Sequence, residues 1–322
     1  MSIRLGIAGY GNLGRALEMA AIKDDEVEIE GIFTRRKPEE VVSLGSSVYS
    51  FDNLYYHADG IDVLALCYGS SYDLPDMTPH LAECFNTVDT FDNHLMINEY
   101  KRRVCRAASS SGKVSVIALG WDPGFLSLMR LYFSSFLPSP SVNTFWGRGV
   151  SQGHTEAIKR IDGVIDAVQY TVPREDALTL ASLVSHPLSV TERHRRVCYI
   201  VAEKGREDSI TDELLSMENY FLGYEVELHF INKEELKKYK SASHRGRVYA
   251  LGSSGRYGEV KHRAYLDIDI GSNPDLTASI MLASCRAAYR LARENRNGVY
   301  TVFDIPPSYF APVICKNVNS YL

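Results

Sequence analysis

The feature that most constrains the fold is a glycine-rich loop, "GYGNLG" at residues 9–14, set between an apolar run and an amphipathic segment. The run "IRLGIA" before the loop is typical of a buried strand, and "RALEMAAIKDD" after it carries apolar residues at helical spacing. A second strand-like run, "VEIEGIF", follows this predicted helix. The three segments predict a βαβ unit, whose two strands must be parallel.

Strand-like and helix-like segments continue to alternate up to about residue 120. The runs "IDVLALCYGS", "NTVDTF" and "KVSVIALG" are typical of strands, and helical segments are predicted around 73–85 and 94–112. This α/β alternation predicts a Rossmann-like doubly wound parallel sheet. In such sheets ligands bind beyond the carboxyl ends of the strands.

Beyond about residue 125 most segments are strand-like, which predicts a second α+β domain with a mixed sheet. A long helix is predicted over 273–295, and a final strand, "VYTVFDIP", follows it. We therefore expect a dinucleotide-binding domain made of 1–122 and about 296–322. The remaining residues, 123–295, are expected to form a substrate-binding domain.

The spacing of the glycines in the loop matches the dinucleotide fingerprint. Gly9 permits the tight turn, Gly11 lets the backbone approach a pyrophosphate, and Gly14 allows close packing of the helix. The positive end of the helix dipole would stabilise the anion. A glycine-rich turn without a ligand is the alternative reading of this motif.

The second predicted strand ends in "IFTRR", where an NAD-binding protein usually has an acidic residue for the ribose hydroxyls. Thr34, Arg35 and Arg36 instead supply a hydroxyl donor and two guanidinium groups, which suit the oxygens of a 2′-phosphate. The segment therefore predicts NADP rather than NAD. A solvated basic turn is the alternative.

Acidic residues follow two other predicted strands. "TVDTFDNH" contains Asp89, Asp92 and His94, and "GWDPG" contains Asp122. Carboxylates near a nicotinamide ring suit an amine substrate, since they can hold an ammonium group and accept its protons. Taken singly, each Asp is better explained as a turn or capping residue, but their location at two adjacent strand ends favours a functional role.

The second domain carries candidate donors for a carboxylate substrate. Arg is the natural bidentate partner of a carboxylate, and hydroxyl, imidazole and amide groups can complete such a site. The candidates are Thr171, Arg196, His244 and Asn273. By contrast, His154 and His186 are assigned to the surface or to structural roles, and Trp121 and Trp146 either pack in a core or form a pocket wall.

Composition excludes several other classes of protein. The 322 residues are 45% hydrophobic and 23% charged, with a formal net charge of −5, so no basic surface for nucleic acid or an anionic membrane is expected. No secretory leader or run of about 18 apolar residues occurs, which predicts a cytoplasmic protein. The six cysteines are far apart and predict buried thiols rather than a metal site.

Beyond these patterns, the chain resembles the meso-diaminopimelate dehydrogenase family over nearly its whole length. The stretches that carry the resemblance are "GYGNLGR", "GIFTRR", "DVLALCYGS", "TVDTFDNH", "GWDPG", "TFWGRGVSQGH", "AVQYTVP", "YFLGYEVE" and "NPDLTAS". The resemblance implies reversible NADP-dependent oxidative deamination of meso-2,6-diaminopimelate at its D-centre. The products would be L-2-amino-6-oxopimelate and ammonia, in the biosynthesis of lysine and diaminopimelate.

The resemblance also implies site residues and a homodimer formed through the second domain. Asp92 and Asp122 would be catalytic and contact the reacting amine. The substrate contacts implied besides them are Trp121, Trp146, Gln152, Gly153, Thr171, Arg196, His244 and Asn273. The cofactor contacts implied beyond Gly9 and Gly14 are Tyr10, Gly11, Asn12, Leu13, Thr34, Arg35, Arg36, Cys67, Tyr68, Gly69, Ser70, Thr90, Phe91, Asp92, Leu119, Gly120, Trp121, Asp122 and Pro123.

Two departures from the family pattern, Phe91 and Val150, keep apolar character. Two rival readings remain open at this point. One is another dehydrogenase or reductase on the same plan, such as a homoserine dehydrogenase or a dihydrodipicolinate reductase. The other is a sensor that binds NADP without catalysis.

Overall fold

The computed structural model describes residues 2–70, 72–93, 96–147, 149–183, 187–218, 220–240 and 243–312. His94, His186 and Cys315 lie outside these ranges, and the side chain of Gln152 is also not described. The helices of the described part are α1 (Asn12–Ile22), α2 (Asp73–Leu81), α3 (Ile97–Ser110), α4 (Leu126–Phe136), α5 (Gln152–Lys159), α6 (Glu175–Leu183), α7 (Val190–Arg193), α8 (Glu207–Ser216), α9 (Lys233–Leu236) and α10 (Asn273–Arg293).

The strands follow the predicted runs, with shorter bounds in the first half of the chain. They are β1 (Ile3–Ala8), β2 (Val27–Thr34), β3 (Val48–Ser50), β4 (Val63–Leu66), β5 (Thr87–Asp89), β6 (Val114–Val116), β7 (Ser141–Trp146), β8 (Gly149–Val150), β9 (Val164–Pro173), β10 (His194–Ala202), β11 (Glu225–Phe230), β12 (His244–Ser254), β13 (Val260–Ile270) and β14 (Gly298–Tyr300).

Seven of these strands form one parallel sheet in the order β14-β6-β5-β4-β1-β2-β3. Its central strands are buried on both faces, as the fully buried Leu5, Ile7, Leu64 and Leu66 show, and this is why their sequences are continuously apolar. The chain winds to opposite sides from β1, so the ends of β1 and β4 mark the switch point where such sheets bind dinucleotides. The predicted Rossmann-like sheet is confirmed.

The other strands form two smaller sheets. One has the order β11-β10-β9-β8, in which only β10 and β11 are parallel, and the other is the antiparallel sheet β13-β12-β7. Helices α5 and α8 supply Ile158, Ile210 and Leu214 to the core beneath the first of them. The predicted α+β region with a mixed sheet is also confirmed.

The chain divides into a first unit of Met1–Leu128 with Pro274–Leu322 and a second unit of Met129–Asn273. The sequence-based boundary placed the long helix in the second domain, and the structure places α10 in the first unit. The reason is packing: Ala278, Met281 and Cys285 of α10 belong to the same core as Leu5 and Ile7 of β1.

Two further expectations need correction. The final strand ends at Tyr300, because Thr301 and Asp304 form a turn in which the Thr301 amide donates to Asp304 Oδ2 at 2.8 Å. Cys84 is exposed in the turn after α2, whereas Cys198 and Cys285 are buried as expected. Among the helices that the structure describes, none combines the length and apolarity that a membrane span requires.

Candidate active site

The glycine loop in the first unit has the geometry of a pyrophosphate cradle. Gly9 has a φ of +93°, and a Cβ there would lie 2.8 Å from the Cys67 carbonyl oxygen. Both the backbone conformation and the lack of space therefore exclude a side chain at this position. A Cβ on Gly14 would overlap the carbonyl of Gly9, whereas the space around Gly11 is open. No described side chain caps α1 at Gly11, and its first turn has no acid, so its amide groups suit an anionic ligand.

Arg35, at the end of β2, is oriented by two neighbours. Its Nη1 donates to Asp73 Oδ1 at 2.7 Å, and its guanidinium lies 4.9 Å from the centre of the Tyr68 ring. The hydrogen bond from Arg35 to Asp73 raises the pKa of Arg35, which therefore stays cationic. Exposed ion pairs contribute little to stability, so Arg35 can exchange this partner for a phosphate at small cost.

Arg36 is held against the glycine loop. Its Nη2 donates to the carbonyl oxygen of Tyr10, and its backbone amide donates to the hydroxyl of Thr34 at 3.2 Å. The Tyr10 hydroxyl in turn donates to the fully buried carboxylate of Glu18, which also accepts from the Leu44 amide at 3.0 Å. Hydrogen bonds therefore connect the basic end of β2 to the glycine loop, and Glu18 anchors the loop. This role of Glu18 was not predicted from the sequence.

The ends of β4 and β5 are joined by Ser70. Its Oγ accepts from the Asp92 amide at 3.1 Å and donates to the Thr90 carbonyl at 3.4 Å. Asp92 is exposed, while Phe91 beside it is fully buried. Ser70 therefore holds the backbone of the short segment from Thr90 to Asp92, which carries the Asp92 carboxylate.

Asp122 follows the neighbouring strand β6, in a segment with irregular backbone. The Phe125 amide donates to the Gly120 carbonyl at 2.9 Å, and Gly124 has a φ of +125°. Ser127 Oγ lies 3.5 Å from Asp122 Oδ1 and accepts from the Gly124 amide at 3.2 Å. Since β5 and β6 are adjacent and parallel, Asp92 and Asp122 follow neighbouring strand ends, as predicted. Leu119 is buried beside them, and Trp121 and Pro123 are half-buried.

In the second unit, Thr171 of β9 and Arg196 of β10 are direct partners in the antiparallel ladder. Nη1 of Arg196 donates to the Thr171 hydroxyl, and its guanidinium lies 4.1 Å from the centre of the Tyr224 ring. Arg196 is only 6% exposed, and burial lowers its pKa. No carboxylate among the described residues pairs with it. A buried, unneutralised guanidinium is costly unless it binds an anion.

His154 interacts electrostatically with this guanidinium, and Gln169 lies two residues before Thr171 on β9. Burial and the charge of Arg196 lower the pKa of His154 to about 3, and its Nδ1 lies 2.6 Å from the Ser151 hydroxyl. Nε2 of His154, Nε of Arg196 and both polar side-chain atoms of Gln169 are buried without a hydrogen-bond partner among the described residues. Of the two roles expected for His154, surface or structural, its buried position fits the structural one. Gln169 shares a strand face with Thr171, so the period of two in β9 was the signal that could have indicated it.

His244 of β12, Gly149 of β8 and Gly153 of α5 also belong to the second unit. Nε2 of His244 is 3.1 Å from the Val150 carbonyl oxygen, and its ring leaves no room for a side chain at Gly149, which pairs with Thr171. The Cβ direction of Gly153 faces open space. His244 therefore lies against Gly149, the strand partner of Thr171, and Thr171 in turn contacts Arg196. Asn273, the last residue of the second unit, is half-buried.

Trp146 is positioned by His194. The indole stacks on the imidazole with ring centres 5.1 Å apart, and the Trp146 amide donates to His194 Nε2 at 2.9 Å. The guanidinium of Arg193 lies 5.7 Å from the indole centre. Because Nε2 accepts a hydrogen bond, His194 must be neutral in this geometry.

We expect the protein to lose stability in mild acid through His194. Burial, followed by the charge of Arg193, lowers its pKa to about 3. A folded-state pKa below the ordinary value of about 6.5 gives stability that is complete above pH 6.5 and is lost as pH falls towards 3. Urea unfolding at pH 6.5 and 5.5 should show a loss of about 1 kcal/mol that is absent in His194→Gln. The same loss in His194→Gln would contradict this, and the exposed His80→Gln serves as control.

The fold and the first-unit residues together define a class. A parallel doubly wound sheet with a glycine cradle at its switch point and acids at neighbouring strand ends is typical of nicotinamide-dependent oxidoreductases.

Comparison with known proteins narrows this class to one family. Residues 120–272 match the family model of the diaminopimelic acid dehydrogenase C-terminal domain. The meso-diaminopimelate D-dehydrogenase of Acetivibrio thermocellus is 46% identical over 99% of this chain and 97% of its own. The chain therefore belongs to the meso-diaminopimelate D-dehydrogenase family, and the resemblance noted in the sequence is confirmed.

Two solved structures are similar over the whole chain. A crystal structure of a six-substitution variant of the Clostridium tetani meso-diaminopimelate dehydrogenase with DAP has a TM-score of 0.92 and 38% identity, covering 100% of both chains. The crystal structure of an engineered D-amino acid dehydrogenase bound to NADP⁺ has a TM-score of 0.87 and 35% identity, covering 99% of both chains. Membership of this family excludes the alternative that the chain is a different dehydrogenase or reductase with the same domain architecture.

Proposed function

We propose that this chain catalyses the reversible, NADP-dependent oxidative deamination of meso-2,6-diaminopimelate at its D-centre, giving L-2-amino-6-oxopimelate and ammonia. The observation that carries the proposal is Arg196, a buried guanidinium held by Thr171 and Tyr224 with no carboxylate partner among the described residues. A substrate carboxylate would neutralise it through charge-assisted hydrogen bonds. The family supplies the identity of the substrate that carries this carboxylate.

We assign NADP to the first unit. The residues fit it, because Gly11 leaves open space at the uncapped start of α1, and Arg35 and Arg36 present two cations at the end of β2. Thr34, Arg35 and Arg36 would hold the 2′-phosphate. The other contacts proposed are Gly9, Tyr10, Gly11, Asn12, Leu13, Gly14, Cys67, Tyr68, Gly69, Ser70, Thr90, Phe91, Asp92, Leu119, Gly120, Trp121, Asp122 and Pro123. When bound, NADP⁺ supplies the acceptor for the hydride that leaves the D-carbon.

Asp92 and Asp122 are the proposed catalytic residues. Their carboxylates would orient the reacting amine, stabilise the positive charge that grows on its nitrogen, and exchange protons with water. The fixed backbone of Asp92 and the ordered loop around Asp122 suit this task, since orienting the reacting groups supplies a large part of such catalysis.

The second unit is proposed to hold the distal L-amino-acid end of the substrate. The residues assigned are Trp146, Gln152, Gly153, Thr171, Arg196, His244 and Asn273, with Trp121 contributing from the first unit. The substitutions in the Clostridium tetani variant replace a Gln, a Thr, an Arg, a Pro, a His and an Asn in that order, with DAP present. Gln152, Thr171, Arg196, His244 and Asn273 follow the same order here, with the same separation between the Gln and the Thr.

We further propose that the chain acts in the cytoplasm as a homodimer, with dimerisation through the second unit. The resemblance to the family is what supports the dimer. Sedimentation equilibrium at micromolar concentration measures the mass directly. A monomer at that concentration would contradict the dimer.

The function predicts an absorbance increase at 340 nm when purified protein meets NADP⁺ and meso-diaminopimelate, and a decrease with NADPH, L-2-amino-6-oxopimelate and ammonia. NAD⁺ should be a poor substitute, and D-alanine should be turned over weakly, because it leaves Arg196 buried and unpaired. A protein that binds NADPH without any absorbance change in either direction would be a sensor, the second alternative reading of the sequence. Vigorous oxidation of D-alanine would contradict the role given to Arg196.

A further inference from the structure

Asp89, the last residue of β5, is fully buried and accepts several hydrogen bonds. Its Oδ1 accepts from the Phe91 amide at 3.0 Å and from the Ala118 amide at 3.2 Å, and its Oδ2 accepts from the Tyr100 hydroxyl. Its backbone carbonyl accepts from the Leu119 amide at 3.1 Å. Asp89 therefore forms hydrogen bonds both with the segment that follows β5 and with the segment that follows β6.

The bond to Ala118 stabilises an unusual backbone conformation. Ala118 has a φ of +58°, in the left-handed region that residues with a Cβ rarely adopt. Such a conformation persists only where its surroundings enforce it. The two bonds from Asp89 to Ala118 and Leu119 do so, and they set the path of the chain that continues to Asp122.

On the other side, the bond to Phe91 sets the direction of the chain towards Asp92. The Phe91 ring stacks on the Tyr100 ring, with centres 4.0 Å apart and an interplanar angle of 19°. Tyr100 belongs to α3, so the Asp89 carboxylate, its Tyr100 donor and the stacked Phe91 form one packed group. Ser70 then holds the next amide, that of Asp92.

We propose that Asp89 is a positioning residue that fixes the relative placement of the two strand ends carrying Asp92 and Asp122, and so determines kcat. The inference rests on the proposed function of those two residues. It assigns a task to an acid that the motif "TVDTFDNH" contains and that is too deeply buried to contact substrate. A carboxylate suits this task because one side chain accepts from three donors, which no neutral side chain of similar size can do.

The test compares Asp89→Asn with Asp62→Asn. Asp62 also accepts a backbone amide bond, from Arg4 at 2.9 Å, but it precedes β4 and so lies at the opposite edge of the same sheet. We expect Asp89→Asn to lower kcat for meso-diaminopimelate, measured per folded molecule, about tenfold or more, with a smaller rise in the Kd of NADPH because the proposed contacts at the glycine loop and at the end of β2 remain. Asp62→Asn should leave kcat unchanged. A purely structural role would instead reduce the folded fraction and leave kcat per folded molecule intact.

An unchanged kcat in Asp89→Asn would overturn the inference, as would an equal loss in Asp62→Asn. If Asp89→Asn does not fold, Tyr100→Phe decides the matter, because it removes one donor and keeps both amide bonds. A several-fold lower kcat per folded molecule is then expected, larger than any change in the Kd of NADPH, and an unchanged kcat contradicts the proposal. An unmodified chain that is inactive with meso-diaminopimelate is a different result, which refutes the proposed function itself.

Discussion

Asp122→Asn is expected to lower kcat for oxidation of meso-diaminopimelate roughly 10³-fold or more, while the protein still folds and binds NADPH. The amide keeps the shape of the side chain but carries no negative charge. It can therefore neither stabilise the cationic nitrogen nor accept its proton. The loss should appear in kcat rather than in the Kd of NADPH, since charge stabilisation that grows in the transition state affects the chemical step.

The control for Asp122 is Asp59→Asn, an identical change at an exposed acid in the same unit. Its kcat should match that of the unmodified protein. Asp92→Asn is the companion variant, and a comparable loss there would give both strand ends a part in the chemistry. An Asp122→Asn protein with kcat within a few-fold of the parent would remove Asp122 from the catalytic site.

The double change Arg35→Ala and Arg36→Ala should raise the KM for NADP⁺ roughly 10²-fold or more and alter that for NAD⁺ only a few-fold. Each guanidinium would make charge-assisted bonds to the 2′-phosphate, which NAD⁺ lacks. The structure orients one guanidinium through Asp73 and the other through the Tyr10 carbonyl, so both are in place before binding. The measured quantity is the ratio of kcat/KM for the two cofactors.

Lys37→Ala is the matched control, because it removes the same charge from the next residue, whose side chain is 73% exposed and pairs with Glu40. It should weaken NADP⁺ binding slightly. If it had the effect of the double variant, general positive potential rather than a specific clamp would explain the preference. Equal losses for NADP⁺ and NAD⁺ in the double variant would refute the phosphate assignment.

Much of the first unit could be predicted because its signals are local. A strand, a glycine turn and a helix are encoded in consecutive residues. Alternation of strands and helices is then enough to predict parallel strands whose carboxyl ends lie at one edge of the sheet. The prediction that Asp92 and Asp122 follow neighbouring strands is of this kind. The bounds were less certain, and the run "VYTVFDIP" was predicted as a strand over residues that form a turn after Tyr300.

Long-range contacts were the main source of errors. The predicted boundary at residue 295 put α10 in the second domain, yet its apolar face completes the core around β1. His154 was assigned to the surface or to a structural role, and the structure shows that its Nε2 is buried and that burial and the charge of Arg196 lower its pKa. Neither partner is near in sequence, so no local pattern could reveal the contact.

The sequence by itself determined the parallel sheet, the glycine cradle and the basic strand end, since each depends on the spacing of neighbouring residues and on the conformations that glycine alone adopts easily. The tertiary structure alone decided that Arg196 is buried against Thr171 and Tyr224, and that the Asp89 carboxylate bonds to both Phe91 and Ala118. Those contacts depend on the register between strands and on burial. Both are set by packing of the whole chain, and it is burial that turns an ordinary Arg or Asp into a group that requires a partner.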